Sequence, residues 1–136
     1  MRVQVAFAGL VGNVSASHIH AATLLPETGT AGVAVGLTGF PSGVMAGGYD
    51  VTFNMLLPAS YNAGYMTANG GTPPAAFAGL QTQMAGMQTY VNIHSTVFGG
   101  GEIRGFLVPE ASTAGLAAIA GAGLLIRRRR VGSARY

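Results

Sequence analysis

The chain has 136 residues, room for one domain and an appended segment. Charged residues make up 8% of it, about a third of the usual share, and Lys, Cys and Trp are absent; this excludes disulfides and thiolate metal sites and leaves few groups for catalysis. Five of the seven arginines crowd into the last ten positions, and the remainder sets Arg2 and Arg104 against Glu27, Asp50, Glu102 and Glu110, a net −2 without the spread basic face of a nucleic-acid binder.

Residues 3–8 alternate Val3, Val5 and Phe7 with polar or small neighbours, the period of two of a half-buried strand. Further strands are predicted over 18–22, 32–38, 47–55, 89–94 and 102–108. Several carry β-branched or aromatic residues at alternate positions, such as Tyr49, Val51 and Phe53. Breaks fall at Pro26, Gly39 with Pro41, Pro58, Asn69-Gly70-Gly71 and Gly99-Gly100-Gly101. Tyr61, Asn62, Tyr65 and Asn69 read as a polar, aromatic loop, either solvated or able to touch carbohydrate. Pro73-Pro74 then opens a helix over 75–87, with Phe77, Leu80, Met84 and Met87 spaced by three or four. The pattern predicts a mainly β fold: a small antiparallel β-sandwich or barrel with one short crossover helix, followed by a C-terminal hydrophobic helix.

Three motifs stand out along this body. Ala16-Ser17-His18-Ile19-His20-Ala21-Ala22 lies early, Tyr90-Val91-Asn92-Ile93-His94-Ser95 lies late, and Gly99-Gly100-Gly101-Glu102-Ile103-Arg104-Gly105 follows it. Together they resemble the CHRD (chordin-type) domain found in chordin and in many exported bacterial proteins. The likeness covers residues 1–107, with Gly99 where the family commonly has Pro. It implies an interaction module rather than an enzyme, and it implies that an opening strand belongs upstream of Met1.

All three histidines fall inside these motifs. Residues two apart on a strand face the same side, so His18 and His20 project together while Ile19 faces the core. With His94 from a neighbouring strand they make a candidate site for a divalent metal, Zn or Cu, because neutral imidazole suits both. Glu102 is then a candidate fourth ligand or an acceptor behind the ligands. A structural reading stands beside this one: the histidines hydrogen-bond to loop carbonyls, and Glu102 and Arg104 form a buried pair on one strand face. A three-histidine site with an open position can in principle activate water, but the scarcity of charged groups argues against an enzyme. Ser15, Ser17 and Ser95 lack the context of an activated nucleophile. Gly99-Gly100-Gly101 lacks the Lys and Ser/Thr of a phosphate loop.

From Val108 the character changes. Val108-Pro109-Glu110 is followed by an apolar run over 114–126 and then by Arg127, Arg128, Arg129 and Arg130. No polar face recurs within the run, so it does not read as an amphipathic core helix. An uncharged helix closed by arginines is how a membrane-inserted segment stops, its positive end cytoplasmic. Counted from Ala111 it is about 24 Å long, short of the roughly 20 residues of a stable span. The layout resembles the PEP-CTERM sorting signal of Gram-negative envelope proteins, with Ala111 where that signal usually has a second Pro. The resemblance implies transient anchoring in the inner membrane, processing by an exosortase-type enzyme and delivery to the cell envelope or exterior. Export in turn leads us to expect a signal peptide upstream, since residues 1–8 read as a strand.

The chain therefore divides into a β-domain at 1–107, a sorting segment at 108–130 and a short tail at 131–136. The expected function is that of a non-enzymatic exported envelope or matrix protein. Its expected partners are the inner membrane, the processing enzyme, and exopolysaccharide or another envelope protein, with no nucleic acid among them.

Overall fold

The computed structural model describes residues 1–108, and its strands follow the alternation in the sequence. In β1 (Arg2–Phe7) Val3 and Phe7 are buried, whereas Arg2, Gln4 and Ala6 face solvent. The remaining elements in chain order are β2 (Val14–His20), β3 (Val33–Gly36), β4 (Gly47–Thr52), α1 (Ala63–Ala68), α2 (Pro73–Ala85), β5 (Tyr90–Ser95) and β6 (Ile103–Phe106). They form two antiparallel sheets, a two-stranded one pairing β1 with β4 and a four-stranded one ordered β3-β2-β5-β6.

The sheets share one core in a sandwich-like arrangement. Val3, Phe7 and Tyr49 come from the small sheet, Ile19, Val35 and Ile93 from the large one. Helix α2 carries the chain from β4 to β5 and so crosses from one sheet to the other. Pro73 supplies its fixed φ in the first turn, and Ala76 and Leu80 are fully buried. Burying a leucine completely contributes about 1.5–3 kcal/mol, so Leu80 is one of the main ties between helix and sheets. The mainly β fold and its crossover helix follow the expectation from the sequence.

Two features depart from it. Strand β2 starts at Val14, four residues before the predicted edge, because Val14, Ala16 and Ser17 pair with β5 across a shift in register at Ser15. The segment read as a solvated or carbohydrate-touching loop is instead the start of a second, short helix. A 3-10 turn at Pro58–Ser60 leads to Asn62, whose side-chain oxygen accepts hydrogen bonds from the amides of Gly64 and Tyr65 and caps α1. Tyr61 and Tyr65 are buried, and the Tyr65 hydroxyl donates to Gln83 of α2 at 2.7 Å. Both tyrosines serve packing.

Among the described residues no helix is long and apolar enough to cross a membrane. Val108 is the last of them and is exposed. Pro109, Glu110, the apolar run with its predicted C-terminal helix, and Arg127, Arg128, Arg129 and Arg130 lie outside the described residues.

Candidate metal centre

His18 and His20 leave β2 on one face, while Ile19 between them enters the core with 1% of its surface exposed. Beside them, β5 sets Tyr90 opposite His20, Asn92 opposite His18 and His94 opposite Ala16. Tyr90, Asn92 and His94 alternate with Val91 and Ile93, so they share the histidine face of the sheet. Two loops supply backbone carbonyls there, residues 21–32 between β2 and β3 and residues 96–102 between β5 and β6.

Those carbonyls fix the rings. The Nδ1 of His20 lies 2.9 Å from the Ala31 carbonyl oxygen, and the Nδ1 of His94 lies 2.9 Å from that of Gly99. A carbonyl can only accept, so each Nδ1 carries the proton and each Nε2 presents a lone pair. The Nε2 of His20 is buried without a hydrogen-bond partner among the described residues. That of His94 lies 3.1 Å from Nδ1 of His18, which donates to it when all three rings are neutral. Stacking adds rigidity: His20 lies parallel to the Tyr90 ring, with centroids 4.9 Å apart.

One nitrogen from each of His18, His20 and His94 lies within 4.8 Å of the other two. Three imidazoles around tetrahedral zinc, with bonds of about 2.0–2.1 Å, hold their nitrogens roughly 3.3 Å apart, so no pair has to close by more than about 1.5 Å. The carbonyl hydrogen bonds leave Nε2 of His20 and Nε2 of His94 as the ligating nitrogens, and Nδ1 of His18, which faces Nε2 of His94, joins them once that ring moves its proton to Nε2. Ligating histidines ordinarily hold their other nitrogen on a carbonyl or carboxylate in this manner. Burial lowers the pKa of His18 and of His20 below the ordinary imidazole value. Their imidazole neighbours add to the lowering, and the Ala31 hydrogen bond partly offsets it for His20. Both shifts favour the neutral, ligating form.

The acidic candidate lies elsewhere. Glu102 accepts hydrogen bonds from the backbone amides of Val11 and Gly12. A hydrogen bond from Ser95, followed by those two amides, holds its carboxyl below the usual carboxylate range. It does not join the histidine cluster. Nor does it pair with Arg104. The Arg104 guanidinium donates to the Gly29 carbonyl at 2.8 Å and stacks 5.3 Å from the Tyr90 ring centre. Among the described residues the ion pair is Arg2 with Asp50. The Glu102–Arg104 pair is thus corrected: Glu102 precedes β6, so the rule that residues two apart share a face does not govern it.

Asn92 is the residue that reading the sequence for function passed over. It is 5% exposed, its amide nitrogen donates to the Gly100 carbonyl at 3.1 Å, and the same nitrogen lies 3.5 Å from Nε2 of His94. A polar residue between Val91 and Ile93 in a buried strand is the signal that could have found it. The Gly-rich loop is shaped around it. Gly101 has φ +118°, and a Cβ there would lie 2.2 Å from the Asn92 side-chain oxygen.

The sequence model of the CHRD domain matches residues 1–107, and the chain belongs to that family. No curated protein and no solved structure matches it.

Proposed function

We propose that this chain is an exported, non-enzymatic binding module that holds a divalent transition metal, zinc or copper, between His18, His20 and His94. The observation that carries the metal reading is the buried Nε2 of His20, without a partner of its own, on a ring clustered with two further imidazoles whose ligating nitrogens lie within 4.8 Å. Leaving such a group unpaired costs about 1–3 kcal/mol, which coordination recovers. The Ala31 and Gly99 carbonyls supply the support behind the ligands that a metal site needs. A bound Zn or Cu ion would lend the module rigidity and a positive centre at the outer face of the sheet.

Membership of a family of non-catalytic modules from exported proteins supports a binding role. The segment from Val108, Pro109 and Glu110 to the arginines at 127–130 acts, in this reading, as the sorting signal. It holds the chain in the inner membrane until an exosortase-type enzyme processes it, and exopolysaccharide or another envelope protein is the final partner.

Elemental analysis of the full chain, purified in detergent without an affinity His-tag, tests the metal reading. We expect about one equivalent of zinc or copper, lost in His20→Ala. A folded chain that stays metal-free after incubation with either ion would leave the histidines as structural hydrogen-bonding groups.

A further inference from the structure

We infer that the metal keeps one coordination position open to solvent and takes a carboxylate oxygen there, steered by the Asn92 amide. This inference rests on the metal reading above and concerns what that metal binds.

Three imidazoles leave one vertex of a tetrahedron unfilled. Among the described residues no carboxylate joins the cluster, and Glu102 is engaged by Ser95 and the Val11 and Gly12 amides. The fourth ligand must therefore come from outside these residues. Access exists on one side. His20 is buried, but His18 and His94 are only half-buried.

The chemistry of the ligand follows from charge and hydrogen bonding. Three neutral imidazoles leave the full double positive charge of the ion uncompensated, which favours an anion. Arg104 adds to this, since its guanidinium stacks on Tyr90, the same ring that packs against His20. Asn92 decides between kinds of donor. One amide hydrogen is committed to the Gly100 carbonyl, and the other lies toward Nε2 of His94. The metal takes that lone pair, so the second N–H has no acceptor on His94 and lies beside the coordination sphere. A carboxylate has a second oxygen to accept it while the first binds the metal.

Cobalt(II) substitution in the full chain reads the coordination sphere optically. Sodium acetate should shift the visible bands of the cobalt-loaded chain in a saturable manner without removing the ion. Asn92→Ala should weaken acetate binding roughly tenfold or more, as expected for a hydrogen bond to a charged group, with cobalt still bound. Asn92→Asp offers an internal carboxylate, and acetate should then no longer change the spectrum. If either variant fails to fold, the titration of the unaltered chain decides. Bound cobalt with a spectrum indifferent to acetate and to azide overturns the open position. A response to azide alone overturns the carboxylate assignment. Failure to bind cobalt overturns the metal reading itself, and this inference with it.

Discussion

Replacing Gly101 by alanine tests how the loop before β6 supports the histidine cluster. Gly101 has φ +118°, a conformation that L side chains rarely adopt, and the added methyl would sit 2.2 Å from the Asn92 oxygen and 2.3 Å from its nitrogen. Backbone strain of this kind costs about 1–3 kcal/mol. Asn92 is buried and cannot give way without losing its bond to Gly100, worth about 1 kcal/mol more. The sum is roughly 2–4 kcal/mol. For a domain of this size each kcal/mol moves the midpoint by about 4–8 °C, so the metal-free variant should melt about 8–32 °C lower. The loop also carries the Gly99 carbonyl that holds His94, so metal affinity should fall about 10–100-fold. Thermal denaturation followed by circular dichroism, with a competitive metal titration, measures both. A melting point within about 2 °C of the parent, well under the 4 °C expected for one kcal/mol, would refute the account of Asn92 and the loop as one packed unit.

Other perturbations separate the parts of the structure. Leu80→Ala removes a fully buried side chain from α2 and should cost about 2–5 kcal/mol in chemical denaturation; a smaller loss would mean that the crossover helix is only loosely tied to the sheets. Glu102→Gln should lower the melting temperature by weakening the hold on the Val11 and Gly12 amides, yet leave metal content unchanged; loss of metal would make Glu102 a ligand after all. The pKa values of His18 and His20 are lowered in the fold, so the unfolded chain takes up their protons first as pH falls. Their contribution to the stability of the metal-free protein is complete above the unfolded value of about 6.5 and is lost below it, as pH falls toward the lower folded values. Denaturation midpoints measured from pH 8 to pH 5 should fall below about pH 6.5, and a midpoint that rises on acidification would contradict the burial of neutral rings.

What the sequence made legible depended on side chains acting through period and type. The alternation in β1, the His-Ile-His of β2 and the proline-led helix α2 all follow from short-range rules, and the structure carries them. Helix α1 was out of reach because its six residues are too few for a helical period and its cap depends on Asn62 turning back onto two amides. The proposed Glu102–Arg104 pair applied a strand rule across a turn boundary, where β6 starts one residue late. That loop carbonyls hold the histidines was legible, and the structure bears it out for His20 and His94, but which carbonyls do so was not. The Ala31 and Gly99 groups that fix the rings are backbone carbonyls, and any residue offers one. Only chain geometry brings them within reach of an imidazole.

Ring-nitrogen chemical shifts of the full chain in detergent, recorded by long-range proton–nitrogen correlation before and after addition of zinc, test the metal centre most directly. The account predicts that Nδ1 of His20 and of His94 stays protonated throughout, while Nε2 of both rings and Nδ1 of His18 move to metal-bound positions together. Shifts confined to other nitrogens, or three rings unmoved by zinc in a folded chain, would contradict it.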